Sequence, residues 1–234
     1  MIIKKIFKST FLFLFVLSSF LSLPALAQQE PRDIFYDSAI QNASLRRTIT
    51  MSRLASVKIV TNRGYGSGSY VTVNRRNVVV TAAHVVSEAN EVTIVGREGE
   101  EVQGIVSYRD PHYDFAVILV PDMTSRRPVR VTQVRSGVED LIGKSVTYTG
   151  FPNMHDLLTI KGTISGSLSG FWILQSYAWM GASGSGVFNS SGDLIGVVTG
   201  VDVGNSGLGY QIIESIVWVT PMTNIDLESI VENL

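Results

Sequence analysis

The chain contains no cysteine. Disulfide bonds, a thiol nucleophile and metal sites built on sulfur are therefore excluded, and stability has to come from a hydrophobic core. Histidine is also scarce, because the only three are His84, His112 and His155. Three histidines scattered along the chain give little support to a metal centre, so no metal site is expected.

An excess of positive charge is missing as well. The chain has 19 Lys and Arg residues against 20 Asp and Glu, and three of the lysines (Lys4, Lys5 and Lys8) lie at the extreme N-terminus. The remainder is mildly acidic and has no concentrated basic patch. Nucleic acid is therefore not an expected partner.

One long apolar run is present, at the N-terminus. The basic start is followed by FLFLFVLSSFLSL, which is short and interrupted by serines for a membrane span. Ala25 and Ala27 provide the small-x-small pattern that signal peptidases cut, which predicts a signal peptide over residues 1–27 and a mature start at Gln28. We expect a secreted or periplasmic protein without a stable membrane anchor after cleavage. The alternative is an uncleaved anchor.

Hydrophobic patterning divides the rest of the chain. Residues 28–52 are polar and form an N-terminal extension, in which 38–47 are compatible with a helix. From residue 53 onward, short apolar or alternating runs are separated by Gly, Asn and Asp, which predicts an all-β domain of two packed six-stranded antiparallel β-barrels with a short C-terminal helix. The predicted ranges are about 53–122 for the first barrel, 121–141 for the connection, 142–221 for the second barrel and 222–233 for the helix, with Thr223 or Asn224 as its cap.

The segment MGASGSGVFN, residues 180–189, is typical of a loop that carries a nucleophile. Ser183 lies between glycines just ahead of an apolar strand. Glycine permits a tight turn and leaves the N–H groups of Gly181 and Ser183 free to point at one oxygen, as an oxyanion hole requires. Ser185 has glycine neighbours too and is the alternative nucleophile.

A serine nucleophile needs a general base and a group that orients the base. His84 follows the apolar strand NVVV, and Asp114 opens the buried strand DFAVILV. A carboxylate there is costly to desolvate unless it is hydrogen-bonded, and an imidazole N–H is a suitable partner. The resulting order of His84, Asp114 and Ser183 differs from that of α/β-hydrolases, in which serine comes first.

The segments TAAHVV, YDFAVILV and GASGSGVFN resemble the three catalytic segments of trypsin-like serine proteases of the chymotrypsin fold. The resemblance covers about residues 55–224. It is strongest to compact bacterial secreted members of the high-temperature-requirement and glutamyl-endopeptidase types, and the former also share features of GYGSGSYVTV, TYTGFPN and GTISG. It implies that His84 is the general base, Asp114 orients it and Ser183 attacks the peptide bond.

Departures from the family pattern bear on activation and specificity. Relatives activated by cleavage have aspartate just before the serine, whereas this chain has Ala182, so such activation is not expected. The position six residues before the nucleophile, acidic in relatives that prefer Lys or Arg, is Tyr177. The pocket implied by the resemblance would then favour an uncharged side chain; its residues are Tyr177, Ala178, Val198, Thr199 and Gly200.

The sequence thus predicts a serine endopeptidase that cuts proteins or peptides through an acyl-enzyme and needs no cofactor. We also expect a monomer, because no peptide-binding domain follows the protease segment as it does in the high-temperature-requirement proteases. Two alternatives stay open: a catalytically inactive binding protein of the same fold, and an esterase-like hydrolase of small acyl substrates.

Overall fold

A computed structural model describes residues 31–131, 138–205, 207 and 209–234. The predicted leader at residues 1–27 and the mature start at Gln28 lie outside these residues. None of the helices in the described ranges is long and apolar enough to cross a membrane.

The first barrel is built from short strands rich in valine and isoleucine. The elements are α1 (Pro31–Ala55), β1 (Ser56–Thr61), β2 (Gly64–Val73), β3 (Arg76–Thr81), α2 (Ala83–Val86), β4 (Glu91–Val95), β5 (Glu101–Asp110), β6 (Phe115–Leu119) and β7 (Val129–Arg130). Six of the strands form a closed ring in the order β1, β4, β5, β6, β3, β2, in which β2 pairs back to β1. The short strand β7 joins the edge of β2 in parallel and lies in the predicted connection.

The second barrel closes in the order β10, β13, β12, β11, β8, β9. Alternation along β10 places Trp172 and Leu174 in the core, while Ile173 between them is only partly buried. The prediction of two packed six-stranded antiparallel barrels is therefore confirmed. The strands are β8 (Ser145–Gly150), β9 (Leu158–Leu168), β10 (Phe171–Gln175), β11 (Gly186–Phe188), β12 (Leu194–Asn205) and β13 (Tyr210–Pro221).

A shared core joins the two barrels. Val80 and Phe115 of the first barrel belong to the same buried cluster as Phe188 and Leu194 of the second. Burying these side chains at about 25 cal/mol per Å² of apolar surface gives the interface a substantial share of the stability of the fold. The barrels are thus held at a fixed spacing, which matters for a site assembled between them.

Helix α1 contacts strands of both barrels and continues directly into β1. The predicted boundary of the extension at residue 52 falls inside this helix. Its C-terminal end is held by Arg126, which is 4% exposed and donates from Nη1 to the carbonyl of Arg53 at 3.0 Å. A guanidinium at a helix C-terminus satisfies a free carbonyl and opposes the negative end of the helix dipole. Burial lowers the pKa of Arg126 to about 10.

The predicted C-terminal helix is present but shorter than expected. A single 3₁₀ turn, Met222–Asn224, is followed by α3, Leu227–Glu232. Asp226 caps α3 by accepting from the N–H of Ser229 at 3.1 Å, so the prediction of Thr223 or Asn224 as the cap is wrong. Ile225 has an extended backbone conformation, which separates the two helical segments.

Candidate active site

His84 and Asp114 are brought together at one end of the first barrel. His84 lies in the one-turn helix α2, three residues after β3 ends, and Asp114 immediately precedes β6. The two strands are neighbours, pairing at Thr81 and Ala116. Their connections therefore leave the sheet side by side.

The Asp114 carboxylate holds His84 by two bonds. Oδ1 accepts from the backbone N–H of His84 at 2.9 Å, and Oδ2 lies 2.7 Å from its ring Nδ1. The first bond satisfies an N–H that the start of a helix leaves free, and the second requires a proton on Nδ1. Nε2 is then the ring nitrogen free to accept a proton, as a general base requires. Asp114 reaches this position with a left-handed backbone, φ 50°.

The structure separates the two candidate nucleophiles. Ser183 lies with His84 in the wall of an open cleft of about 630 Å³. The Ser185 side chain is fully buried, and its hydroxyl has no hydrogen-bond partner among the described residues. A buried hydroxyl cannot reach a substrate, so the geometry favours Ser183 as nucleophile.

Ser183 and His84 face the same cleft without a recorded hydrogen bond between their side chains. The Ser183 hydroxyl instead points to the carbonyl of Thr199, at a distance of 3.4 Å. A bond of that length is weak, so rotation of the hydroxyl towards the imidazole costs little. Catalytic hydrogen bonds are often loose before substrate arrives.

The backbone around Ser183 orients two N–H groups. The carbonyls of Met180 and Ala182 accept from the N–H groups of Asn153 at 2.6 Å and Ser185 at 3.0 Å. In a trans peptide the N–H points away from the carbonyl, so these bonds fix the directions of the Gly181 and Ser183 N–H groups. Within the described part of the chain, neither of these N–H groups has a recorded acceptor.

The residues of the predicted specificity pocket differ in exposure, and none of them lines the cleft that Ser183 and His84 share. Tyr177 is 44% exposed, and a Cβ added at Gly200 would meet open space. Ala178 and Val198 are each only 1% exposed and pack in the core of the second barrel, so only their backbone can contribute to a pocket wall.

Tyr148 lies beneath Tyr177 in the second barrel. It is completely buried, and its hydroxyl donates to the carbonyl of Tyr177. Burial raises the pKa of Tyr148, so the hydroxyl stays a neutral donor. The backbone at Tyr177 is thus held by a hydrogen bond from a buried tyrosine.

Two residues that hold the site were not identified from the sequence. Asn153, in the segment TGFPN, has a left-handed backbone with φ 51° and donates to Met180. Ser67, in GYGSGS of the first barrel, bonds to the nucleophile loop of the second barrel, residues 181–185. Both act mainly through long-range hydrogen bonds, for which the sequence carries no local signal. No cluster of His, Asp and Glu suited to a metal is found among the described residues.

Comparison with known proteins relates this geometry to a family. The sequence pattern of the trypsin-like peptidase domain matches residues 66–197. This range includes His84, Asp114 and Ser183. It runs from β2 of the first barrel to β12 of the second.

Two curated relatives of this chain are named as serine proteases. A Synechocystis sp. protein named as the serine protease HhoA is 28% identical over 159 residues, covering 63% of this chain and 40% of the relative. A Rhizobium meliloti protein named as a DegP-like periplasmic serine endoprotease is 26% identical over 165 residues, covering 66% of this chain and 32% of the relative. The chain thus spans between about a third and two fifths of the length of these relatives.

Solved structures share the fold. A serine endoprotease from Yersinia pestis superposes with a TM-score of 0.65 at 20% identity, covering 82% of this chain and 67% of the other. A protein from M. tuberculosis, crystallised as a serine-to-alanine mutant in an inactive form, superposes with a TM-score of 0.61 at 19% identity, covering 80% of this chain and 89% of the other. At such low identity the likeness concerns the arrangement of the two barrels.

Proposed function

Because the chain belongs to the trypsin-like peptidase family, we propose that it is a serine endopeptidase in which Ser183, His84 and Asp114 hydrolyse peptide bonds through an acyl-enzyme. The observation that carries the proposal is the cleft that Ser183 shares with His84, whose ring Asp114 holds. Ser183 and His84 line it, Asp114 holds the ring of His84, and the N–H groups of Gly181 and Ser183 are available beside the nucleophile.

In the first half of the reaction, Ser183 Oγ attacks the peptide carbonyl carbon while its proton moves to His84 Nε2. The carbonyl oxygen becomes an oxyanion, which the N–H groups of Gly181 and Ser183 stabilise. Asp114 stabilises the imidazolium without taking its proton. When the tetrahedral intermediate collapses, the C–N bond breaks and His84 gives the proton to the leaving amine.

In the second half, water replaces the amine. His84 takes a proton from this water as it attacks the ester carbonyl of the acyl-enzyme. Collapse of the second tetrahedral intermediate breaks the bond to Ser183 Oγ, which recovers the proton from His84. The two steps together consume one peptide bond and one water and release a carboxylate and an amine, and the enzyme returns to its starting state.

The expected substrate is a polypeptide with uncharged residues before the scissile bond. Support comes from the absence of an acidic residue at Tyr177 and from the hairpin of β12 and β13. After Val198, β12 pairs only with β13 within the described residues, which leaves an edge free for an added strand. The paired residues Val203 and Ile212 on this hairpin are 53% and 57% exposed, although both are apolar.

The proposed nucleophile can be tested with a fluorophosphonate probe, which phosphonylates an activated serine. We expect the wild type and Ser185→Ala to be labelled and Ser183→Ala to remain unlabelled. The labelled residue should be identified by mass spectrometry of the digested protein. Labelling lost in Ser185→Ala but kept in Ser183→Ala would assign the nucleophile to Ser185 instead.

A peptide library then distinguishes the function from its alternatives. Cleavage of peptides by the wild type and not by Ser183→Ala supports an endopeptidase. Rapid turnover of small esters without cleavage of any peptide or protein would favour an esterase. A folded wild type that takes no probe and cleaves nothing would indicate a binding protein.

We also propose an extracytoplasmic location. The predicted signal peptide at residues 1–27 supports export, and the Rhizobium meliloti relative is named as periplasmic. Cell fractionation and N-terminal sequencing of the exported protein would test the location and the predicted start at Gln28. Sedimentation measures the oligomeric state, for which we expect a monomer.

A further inference from the structure

Ser67 is a fully buried serine of β2, in the first barrel, that faces the nucleophile loop of the second. We propose that Ser67 is a positioning residue for catalysis. Its hydrogen bonds hold the nucleophile loop of the second barrel against the first barrel, which carries the general base. The inference rests on the proposed function and assigns a role to a residue that does not touch the substrate.

Ser67 makes two bonds to the nucleophile loop. Its backbone N–H donates to the carbonyl of Ser183 at 2.8 Å, and its hydroxyl donates to the carbonyl of Gly181 at 2.7 Å. These carbonyls belong to the peptide groups that follow the two proposed oxyanion donors. The two bonds therefore bracket the turn from Gly181 to Ser183 and restrict its rotation.

The same hydroxyl also supports the neighbouring loop of the second barrel. Its oxygen accepts from the N–H of Phe151 at 2.9 Å. Phe151 lies two residues before Asn153, whose N–H holds the carbonyl of Met180. One hydroxyl thus connects the two segments whose mutual arrangement directs the Gly181 N–H into the cleft.

A fourth bond joins Ser67 to the segment that carries the general base. The hydroxyl of Thr81 donates to the carbonyl of Ser67 at 2.7 Å. Thr81 ends β3, three residues before His84. The chain of bonds from Thr81 through Ser67 to Ser183 therefore sets the separation of the base from the nucleophile across the two barrels.

The packing around these bonds leaves the loop little freedom to shift. Gly184 has φ +87°, and a Cβ added there would overlap the carbonyl oxygen of Ser67 and the hydroxyl of Thr81. The loop therefore lies against Ser67 at backbone contact. Loss of the Ser67 hydroxyl would leave the carbonyl of the buried Gly181 and the N–H of the partly buried Phe151 without this partner. An unpaired buried carbonyl favours rearrangement of the loop.

The matched control lies two residues along the same strand. Ser69 is also fully buried, but its hydroxyl has no hydrogen-bond partner among the described residues. Ser69→Ala removes the same atom from the same kind of environment without breaking a recorded bond. Ser67→Cys, which retains a side chain of similar size with only a weak donor, separates loss of hydrogen bonding from loss of volume.

The test measures kcat and KM for one cleaved peptide, together with the fluorophosphonate labelling rate, at a temperature where circular dichroism shows every variant folded. We expect Ser67→Ala to lower kcat and the labelling rate about 10-fold or more, with KM changed less than about threefold, because the effect falls on the transition state. Ser67→Cys should show a loss of the same kind, and Ser69→Ala should match the wild type.

Three results would overturn the inference. They are a wild-type kcat in folded Ser67→Ala, equal losses in Ser67→Ala and Ser69→Ala, and full activity in Ser67→Cys, which would reduce the role of Ser67 to packing. If Ser67→Ala does not fold, Ser67→Cys decides between the two outcomes. A folded wild type that neither takes the probe nor cleaves any peptide would instead contradict the proposed function.

Discussion

Ser52 of α1 and Thr149 of β8 share a buried hydrogen bond of 2.8 Å between their hydroxyl groups. The bond joins the N-terminal helix to the second barrel, whereas the strand that follows the helix belongs to the first. Ser56, at the start of that strand, also donates to the carbonyl of Thr149 at 3.2 Å. Helix α1 is therefore attached to both barrels, and none of its described residues lines the cleft of His84 and Ser183. This arrangement supports a structural role over an inhibitory one.

We expect Ser52→Ala to lower the free energy of unfolding by about 1–2 kcal/mol, because it removes a hydroxyl that is fully buried and hydrogen-bonded. Urea unfolding followed by circular dichroism measures the change. Thr50→Ala is the control, since the Thr50 hydroxyl is on the exposed side of the same helix, and its change should stay within about 0.5 kcal/mol. Equal losses in the two variants would contradict the structural role of the Ser52 bond.

Local sequence patterns were enough to predict much of the fold. The runs SVKIVT and SVTYTG coincide with β1 and β8, because apolar alternation between turn residues has few other solutions. The positions of His84 and Asp114 could also be anticipated, since each lies next to a recognisable buried strand. The 2.7 Å contact between their side chains agrees with the pairing expected from the cost of desolvating a carboxylate.

Contacts between distant segments could not be predicted in the same way. The polar sequence of α1 gives no indication that Ser52 would meet Thr149, because the pairing depends on where two barrels come to rest. The full extent of β13 has no clear signal in the sequence, since its central residues Glu214 and Ser215 interrupt the apolar pattern. The role of Ser67 depends on bonds to Phe151, Gly181 and Ser183, which lie 84 or more residues away in the sequence.

The conformation of Gly181 gives a direct test of the oxyanion hole. Its φ is +92°, and an added Cβ would overlap the Tyr65 ring and the carbonyl oxygen of Phe151. Gly181→Ala should therefore displace one of the two N–H donors and lower kcat on the order of 10²-fold, as measured by peptide hydrolysis. Gly166→Ala is the control, because an added Cβ there meets nothing within 4 Å. Full activity in folded Gly181→Ala would rule out its N–H as a donor.

The hydrogen bonds of Glu100 lead to a prediction of how the free energy of unfolding changes as the pH falls. Its carboxylate accepts from the N–H groups and hydroxyls of Thr124 and Ser125, and these bonds, led by the Ser125 hydroxyl, lower its pKa to about 2 from an ordinary 4.5. Between these values the unfolded chain binds more protons, so the contribution of Glu100 is full above about pH 4.5 and is lost as pH falls towards 2.

Glu100→Gln should therefore be less stable than the wild type at pH 7, and the difference should shrink between pH 4.5 and 2. Solvent screening limits the difference at pH 7 to about 1 kcal/mol. Urea unfolding at several pH values measures it. Glu101→Gln makes the same change of charge at the next, exposed residue, and a difference of equal size and pH dependence there would assign the effect to net charge rather than to the bonds of Glu100.

The exposed apolar face of the β12–β13 hairpin is a predicted contact surface for the part of the substrate upstream of the scissile bond. Val203 pairs with Ile212, while Gln211 pairs with Gly204 and faces the other side. We expect a substrate residue upstream of the scissile bond to pack on Val203. Val203→Asp should then raise KM about 3- to 10-fold for a long peptide that is apolar at this upstream position. The loss of one partly buried apolar contact costs about 1 kcal/mol. The labelling rate with a small fluorophosphonate should not change, because the probe does not reach the hairpin. Gln211→Asp adds the same charge to the opposite face and should leave KM unchanged, so equal effects of the two substitutions would indicate long-range electrostatics and argue against a docking face.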